Sequence, residues 1–293
     1  MTQRTLVLTG ASDGIGAAAA RELAQGDDRL LLVGRSPGKL SAVAQSLGTE
    51  SFAADFERLE EVRALAAWVR ERTDRIDVLV NNAGGVFAER VVTADGNERT
   101  MQVNHYAGFL LTNLLMDLLI RSSATIVNTS SVGAHAFGRI DLADLDNARK
   151  YKTMKAYGDS KLANILFAKG LHARYHVQGI SAVALHPGNI ASNFGKETGD
   201  AMMKFIYGTP LARLLGTPQA GAANLIWAIN GEPGVTWQSG EYYDGRRQLP
   251  RRANPQQDDQ ALIGALWIES GRRVGLPHLD WPSAHGATPT TAP

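Results

Sequence analysis

Short apolar runs alternate with longer stretches of helical periodicity along most of the chain. TLVLT (5–9), RLLLV (29–33), ESFAAD (50–55), IDVLV (76–80), ATIVNT (124–129) and ISAVAL (180–185) read as strands. Several are apolar at consecutive positions, as strands covered on both faces of a parallel sheet must be. Helical patterns fill the intervals at 15–25, 37–47, 57–72, 98–121 and 155–176, and later ones follow near 201–214, 217–230 and 256–271. Strand and helix alternating in this way predict an α/β fold: a doubly wound, mainly parallel sheet of about seven strands with helices on both faces. No composition break or fixed-period repeat divides the chain, so one domain is expected over 3–281. The last twelve residues, PSAHGATPTTAP (282–293), are poor in large apolar groups and are expected to form a disordered tail.

Composition narrows the function classes. With 293 residues, 44% of them hydrophobic, the chain can bury a substantial core. Its formal net charge of +1 gives no global field for nucleic acid or a membrane surface. There is no cysteine, which excludes disulfides, thiolate catalysis and cysteine-based metal sites. The seven histidines form no H-x-x-x-H or H-E-x-x-H group, so no metal site is expected. The first residues, MTQRTLVLTG, lack a basic segment leading into an apolar one, and LLTNLLMDLLI (110–120) is too short and polar to span a bilayer. A cytoplasmic protein is the expectation.

Chemistry enters where the first strand meets the first helix, in TLVLTGASDGIGAAAARELA. Gly10, Gly14 and Gly16 permit a tight turn, close backbone approach to a phosphate, and close helix–strand contact. The following helix directs its amides and positive dipole end at an anion. The spacing is G-x-x-x-G-x-G, a variant of the Rossmann-type dinucleotide turn. At the end of the second strand, where NAD-selective sites carry a carboxylate, this chain has Gly34, Arg35 and Ser36. A guanidinium suits a 2′-phosphate, so NADP is expected, with NAD as the other cofactor the turn can take. Asp55, at the end of the third predicted strand, can accept a hydrogen bond from the adenine amino group. NNAG (81–84) follows the fourth strand, where small residues let a cofactor lie close.

YGDSK (157–161) places a tyrosine and a lysine on one face of a helix. An ammonium beside a phenol favours the phenolate and lowers its pKa from about 10. That makes a proton donor and acceptor usable near neutral pH.

Together these pieces resemble the short-chain dehydrogenase/reductase family. TGASDGIG (9–16), NNAG, Asn104 in MQVNHYAG, the serines of IVNTSS, YGDSK and HPGNI (186–190) occur in that family's order over about 280 residues. VNHYAGFLLTNLL, AYGDSKLANILFAKGL, ALHPGNIASN and SGEYYD (239–244) are most similar to its retinol dehydrogenase and WW-domain oxidoreductase branch. The resemblance implies roles. Ser131 would hydrogen-bond the substrate oxygen, with Ser130 as the competing assignment. Tyr157 would pass the proton, Lys161 would bond the nicotinamide ribose, and Asn104 would position a water in the proton relay. Gly10, Ser12, Gly14, Ile15 and Gly16 would line the cofactor loop, and Asn82, Ala83 and Gly84 would lie against the adenosine ribose. Pro187, Gly188, Ile190 and Ser192 would contact the nicotinamide end. Relatives form dimers or tetramers through the helices near 98–121 and 155–176, and monomers occur in this branch, so a homo-oligomer stays open.

Two departures from the family pattern bear on the expectations. Asp13 stands where NADP-using relatives often carry a basic residue, and it would repel a nearby phosphate. Ser192 stands where relatives often carry threonine after the P-G turn, and its hydroxyl can serve the same contact; the membrane-anchoring N-terminal helix of many retinol dehydrogenases is not expected here. The segment Phe194 to Leu215 is expected to cap the site with an apolar surface suited to a bulky substrate. His105, Tyr106 and His135 are read as packing or rim residues, and GRRQLPRRA (245–253) as a solvated loop. The reading is therefore an NADP-preferring oxidoreductase acting on a carbonyl/alcohol pair, with an apolar small molecule as substrate. A cofactor-binding redox sensor or scaffold is the alternative, and an epimerase or dehydratase with the same Y-x-x-x-K is a third.

Overall fold

The computed structural model describes residues 3–188 and 216–281. Seven strands among them form one sheet: β1 (Thr5–Thr9), β2 (Arg29–Gly34), β3 (Glu50–Ala53), β4 (Val78–Asn81), β5 (Thr125–Thr129), β6 (Ser181–Leu185) and β7 (Tyr242–Tyr243). Their spatial order is β3-β2-β1-β4-β5-β6-β7 and every pairing is parallel. The order reverses between β1 and β4, and the crevice at their carboxyl ends is where such sheets bind ligands.

The consecutive apolar residues have a simple cause. In β1, Leu6 and Leu8 enter one core layer while Val7 enters the other; in β2, Leu30 and Leu32 oppose Leu31 and Val33 in the same way. Helices cover both faces, so each side chain has an apolar layer to enter. One layer is completed by α1 (Gly14–Leu23), α2 (Pro37–Leu47) and α9 (Pro218–Asn230). The other is completed by α3 (Leu59–Arg70), α5 (Ala107–Leu114), α8 (Thr153–Tyr175) and α10 (Gln260–Arg273).

Boundaries differ from the sequence expectation in informative places. β3 ends at Ala53, so Asp55 lies just beyond it. There Asp55 Oδ1 accepts from Glu57 N at 3.0 Å, closing a local turn that leads into α3. The continuous helix expected over 98–121 is broken. It runs as α4 (Arg99–Met101), a π turn (Gln102–Tyr106), α5, and α6 (Met116–Arg121). The break is tertiary in origin: Asn104 in the π turn is held by three residues outside its own helix. The helix expected near 201–214 and the terminal segment 282–293 lie outside the described residues, as do Ile190, Ser192 and the predicted cap over 194–215. No helix among the described residues is long and apolar enough to cross a membrane.

Candidate active site

The glycine turn is built against the end of β4. Gly10 has φ 73°, and a side-chain carbon there would stand 2.8 Å from Asn82 Nδ2. At Gly16 such a carbon would fall 2.2 Å from Gly10 O, so α1 approaches β1 at a distance only glycine allows. Gly34 meets Ser12 in the same way, at 2.9 Å. Ile15 packs on the core beneath the turn. Thr9, unremarked in the sequence, ties the crevice together. Its hydroxyl donates to Val80 O at 3.0 Å and accepts from the amides of Asn82 and Ala83, each at 3.0 Å. Asn82 Nδ2 returns to Thr9 O at 2.9 Å. Asn82 therefore spends its side chain on the turn, next to the backbone of Ala83 and Gly84.

At the α1 N-terminus, Asp13 Oδ1 accepts from Gly14 N at 2.7 Å, an N-cap. Its Oδ2 pairs with Lys39 Nζ at 2.8 Å. The carboxylate that sequence reasoning set against a phosphate thus carries a cation with it, supplied by α2. Arg35 and Ser36 lie in the same β2–α2 connection, with Arg35 exposed and Ser36 at the cap position before Pro37.

Every residue of YGDSK has a structural assignment. Gly158 lets α8 touch the chain after α7 (Gly133–Ala136) backbone to backbone; a side-chain carbon there would stand 2.6 Å from Gly138 N. Asp159 is buried and accepts from Arg139 N at 2.8 Å, Asn147 Nδ2 at 3.1 Å and Lys155 Nζ at 2.5 Å. Ser160 donates to Tyr157 O at 2.8 Å and accepts from Asn104 Nδ2 at 2.9 Å. Tyr157 itself comes against α7. A carbon at Gly133 would stand 3.0 Å from its ring and 3.4 Å from Ser131 Oγ, so the edge of the ring and the serine hydroxyl both lie against this glycine. Ser130, the competing serine, turns away and donates to Lys161 O at 2.7 Å.

Lys161 is fully buried, and its Nζ donates to Thr129 O at 3.2 Å. Burial pushes its pKa down to about 8. A carbon at Gly84 would stand 3.2 Å from Lys161 Nζ and 2.8 Å from Asn104 Oδ1. Asn104 clamps the neighbouring loop residue: Oδ1 accepts from Gly85 N at 2.7 Å and Nδ2 donates to Gly85 O at 2.9 Å. The crevice is thus floored by two glycines, with Ser131 and Tyr157 at one and Asn104 and Lys161 at the other.

Past β6, Pro187 O accepts from Asn224 Nδ2 of α9 at 3.0 Å, and the same amide reaches Gly245 O at 3.2 Å. Gly188 follows with φ 108°. Asn224, Asn164 and Lys39 were not found by sequence reasoning, because each acts through contacts with residues distant in the chain. His105 is buried among rings, as its packing assignment requires.

These residues fit a nicotinamide dinucleotide. The cradle beside β1 is one that side-chain carbons at Gly10 and Gly16 would fill, and the buried Lys161 ammonium, a hydrogen-bond donor, lies next to Gly84.

The comparisons with known proteins agree. The family model for short chain dehydrogenase matches residues 4–202. The chain is 38% identical over 279 residues to a candidate daunorubicin C-13 ketoreductase of Streptomyces sp. (strain C5), covering 93% of each protein. It is 36% identical over 285 residues to human retinol dehydrogenase 13, covering 93% of this chain and 85% of the relative. The crystal structure of an uncharacterized protein from Mycobacterium Paratuberculosis superposes with a TM-score of 0.74 at 30% identity, covering 94% of each chain. The chain belongs to the short chain dehydrogenase family, in its retinol dehydrogenase-like branch, and is an NAD(P)-dependent oxidoreductase of alcohol and carbonyl groups.

Proposed function

We propose that the chain is an NADP-preferring oxidoreductase of an apolar carbonyl/alcohol substrate, with Tyr157 as proton donor and acceptor. The observation that carries this is that Tyr157 and Ser131 both lie against Gly133, one helical turn from the buried ammonium of Lys161. When bound, the nicotinamide supplies or accepts the hydride. The protein's part is position and charge. Ser131 donates a hydrogen bond to the substrate oxygen, and Tyr157 gives that oxygen a proton in reduction or takes one in oxidation. Lys161, in an interior where charge is weakly screened, favours the phenolate and holds a ribose hydroxyl. Asn104 fixes the Gly84–Gly85 loop that forms the other wall and places its own turn beside Lys161. Gly10, Ser12, Gly14, Ile15 and Gly16 cradle the pyrophosphate, Ala83 and Gly84 face the adenosine ribose, Asp55 meets the adenine, and Pro187 and Gly188 bound the nicotinamide end. Arg35 and Ser36 read the 2′-phosphate.

An apolar substrate is supported by Val132 and Phe137, which flank α7 beside Tyr157 and expose their large side chains. The likeness to proteins named as retinol dehydrogenases and as a daunorubicin C-13 ketoreductase supports a carbonyl/alcohol substrate.

The test is Tyr157→Phe. Turnover of NADPH against a panel of aromatic and polyene carbonyls is expected to fall by roughly 10²–10⁴-fold, the range for loss of a general acid–base, while NADPH fluorescence titration still shows binding. Normal turnover in that variant would overturn the mechanism.

A further inference from the structure

Asn164 lies three residues beyond Lys161 on α8, buried, with every polar atom of its side chain engaged. Its Nδ2 donates to Asn104 O in the π turn at 3.0 Å and to Thr129 O at the end of β5 at 3.0 Å. Both partners are carbonyls, which only accept, so the amide can face one way: NH₂ to the carbonyls, Oδ1 to His105. His105 Nδ1 is 3.2 Å from that Oδ1 and must carry the proton. Its other nitrogen, 3.0 Å from Ser270 Oγ, then accepts from the hydroxyl. A chain of three side chains thus runs from α10 through the π turn to the end of β5, with one tautomer and one amide orientation.

Thr129 O is also the acceptor for Lys161 Nζ, at 3.2 Å. A carbonyl oxygen has two lone pairs. Asn164 occupies one, which leaves a single direction from which the ammonium can approach. The second bond of Asn164 holds the backbone of Asn104, whose side chain forms the wall facing Lys161.

We propose that Asn164, oriented by His105 and Ser270, is a positioning residue that fixes the Lys161 ammonium and the Asn104 turn relative to each other. The inference rests on the reading that Tyr157 and Lys161 carry the proton step. Without the Asn164 amide, both lone pairs of Thr129 O are open to Lys161, which is drawn toward the strand and away from the site. The Asn104 carbonyl is left buried without this donor, so the π turn is free to relax.

The experiment uses the full chain and three variants: Asn164→Leu, similar in volume but without donors; His105→Phe, which keeps a ring among Phe109 and Phe167; and Ser270→Ala. Active sites are counted by NADPH fluorescence titration, and kcat per site, carbonyl KM and melting temperature are measured for each. The expected result is a fall in kcat per site of ten-fold or more for Asn164→Leu, smaller for His105→Phe and smallest for Ser270→Ala, with carbonyl KM changed by less than two-fold. Should Asn164→Leu fail to fold, a two-fold or greater fall in kcat per site in His105→Phe still supports the proposal. A merely structural role would lower the melting temperature and the number of sites and leave kcat per site unchanged in all three, which overturns it. Tyr157→Phe separates the two levels: normal turnover there removes the underlying reading, whereas an inactive Tyr157→Phe beside unchanged kcat per site in the relay variants removes this inference alone.

Discussion

Lys161 Nζ stands 5.7 Å from the centre of the Tyr157 ring, and it reaches that place by leaving water altogether. Burial alone holds its pKa down to about 8. Near neutral pH the folded protein therefore keeps an ammonium in its interior at a cost on the order of 3 kcal/mol relative to an unfolded chain that titrates near 10.5. Among the described residues no carboxylate offsets that cost; a backbone carbonyl is the acceptor.

Lys161→Met is accordingly expected to raise the melting temperature at pH 7 by several degrees while reducing turnover at least a hundred-fold. Between pH 8 and 10.5 the unfolded chain binds a proton at this position that the folded chain does not, so wild-type stability gains on the variant as pH rises through that window. Thermal melts of both proteins at pH 7 and pH 10 check this. A variant that melts lower than the wild type at pH 7 would refute the cost assigned to the charge.

The legible parts of this site are those in which one residue type meets a stereochemical demand by itself. Gly10 needs a positive φ, Gly16 a missing side chain, and Tyr157 and Lys161 a helical spacing; each demand is written in a few neighbouring letters. The sheet was legible for the same reason, since apolar runs such as Leu30–Val33 suit a strand buried on both faces. What could not be read was set by distant contacts. The π turn interrupts an apolar periodicity that runs on through Leu110 and Leu111, and its cause is Asn104 meeting Gly85, Ser160 and Asn164. The surroundings of Ser130 and Ser131 could not be read either: Ser130 donates to the backbone of α8, whereas Ser131 accepts from Gly133 N, and neither partner is written next to its serine in the sequence.

Asp13 and Lys39 bear on the cofactor preference proposed above. Their 2.8 Å pair neutralises the carboxylate at the mouth of the glycine turn. Asp13→Asn keeps the oxygen that caps α1 and removes the charge that holds Lys39. NADPH binding is expected to tighten several-fold in this variant with little change for NADH. Arg35→Glu is expected to reverse the preference, weakening NADPH by ten-fold or more, about 1.4 kcal/mol. Fluorescence titrations of both nucleotides against the three proteins decide it; unchanged NADPH affinity in Arg35→Glu would remove Arg35 from the 2′-phosphate.

His105 gives the fold an acid-sensitive point. Burial pushes its pKa from 6.5 down to about 4. Above pH 6.5 both states hold it neutral and it contributes no pH dependence. As pH falls from 6.5 to 4, the unfolded chain takes up a proton that the folded chain refuses, and stability declines by up to on the order of 3 kcal/mol. Denaturant melts at pH 7 and pH 4.5 should show wild type losing more stability than His105→Phe over this interval. Parallel losses in the two proteins would place the acid sensitivity elsewhere.

Gly158 holds the chain from 133 to 138 close against α8. It lies beside Tyr157, and a side-chain carbon there would stand 2.6 Å from Gly138 N, 2.7 Å from Phe137 C and 2.8 Å from Gly133 O. These are backbone atoms, so no rotamer change can make room and the chain from 133 to 138 must move off α8. Ser131 is tied to that chain by its bond from Gly133 N at 3.1 Å, so it moves with it while Tyr157 stays on the helix. Gly158→Ala should therefore lower kcat by ten-fold or more, a larger effect than its loss of melting temperature would suggest, with NADPH binding retained because the glycine turn lies on the far side of β4. Loss of NADPH binding in step with kcat would show instead that the substitution disturbs the whole fold, and the assignment of Gly158 to the spacing between Ser131 and Tyr157 would fall.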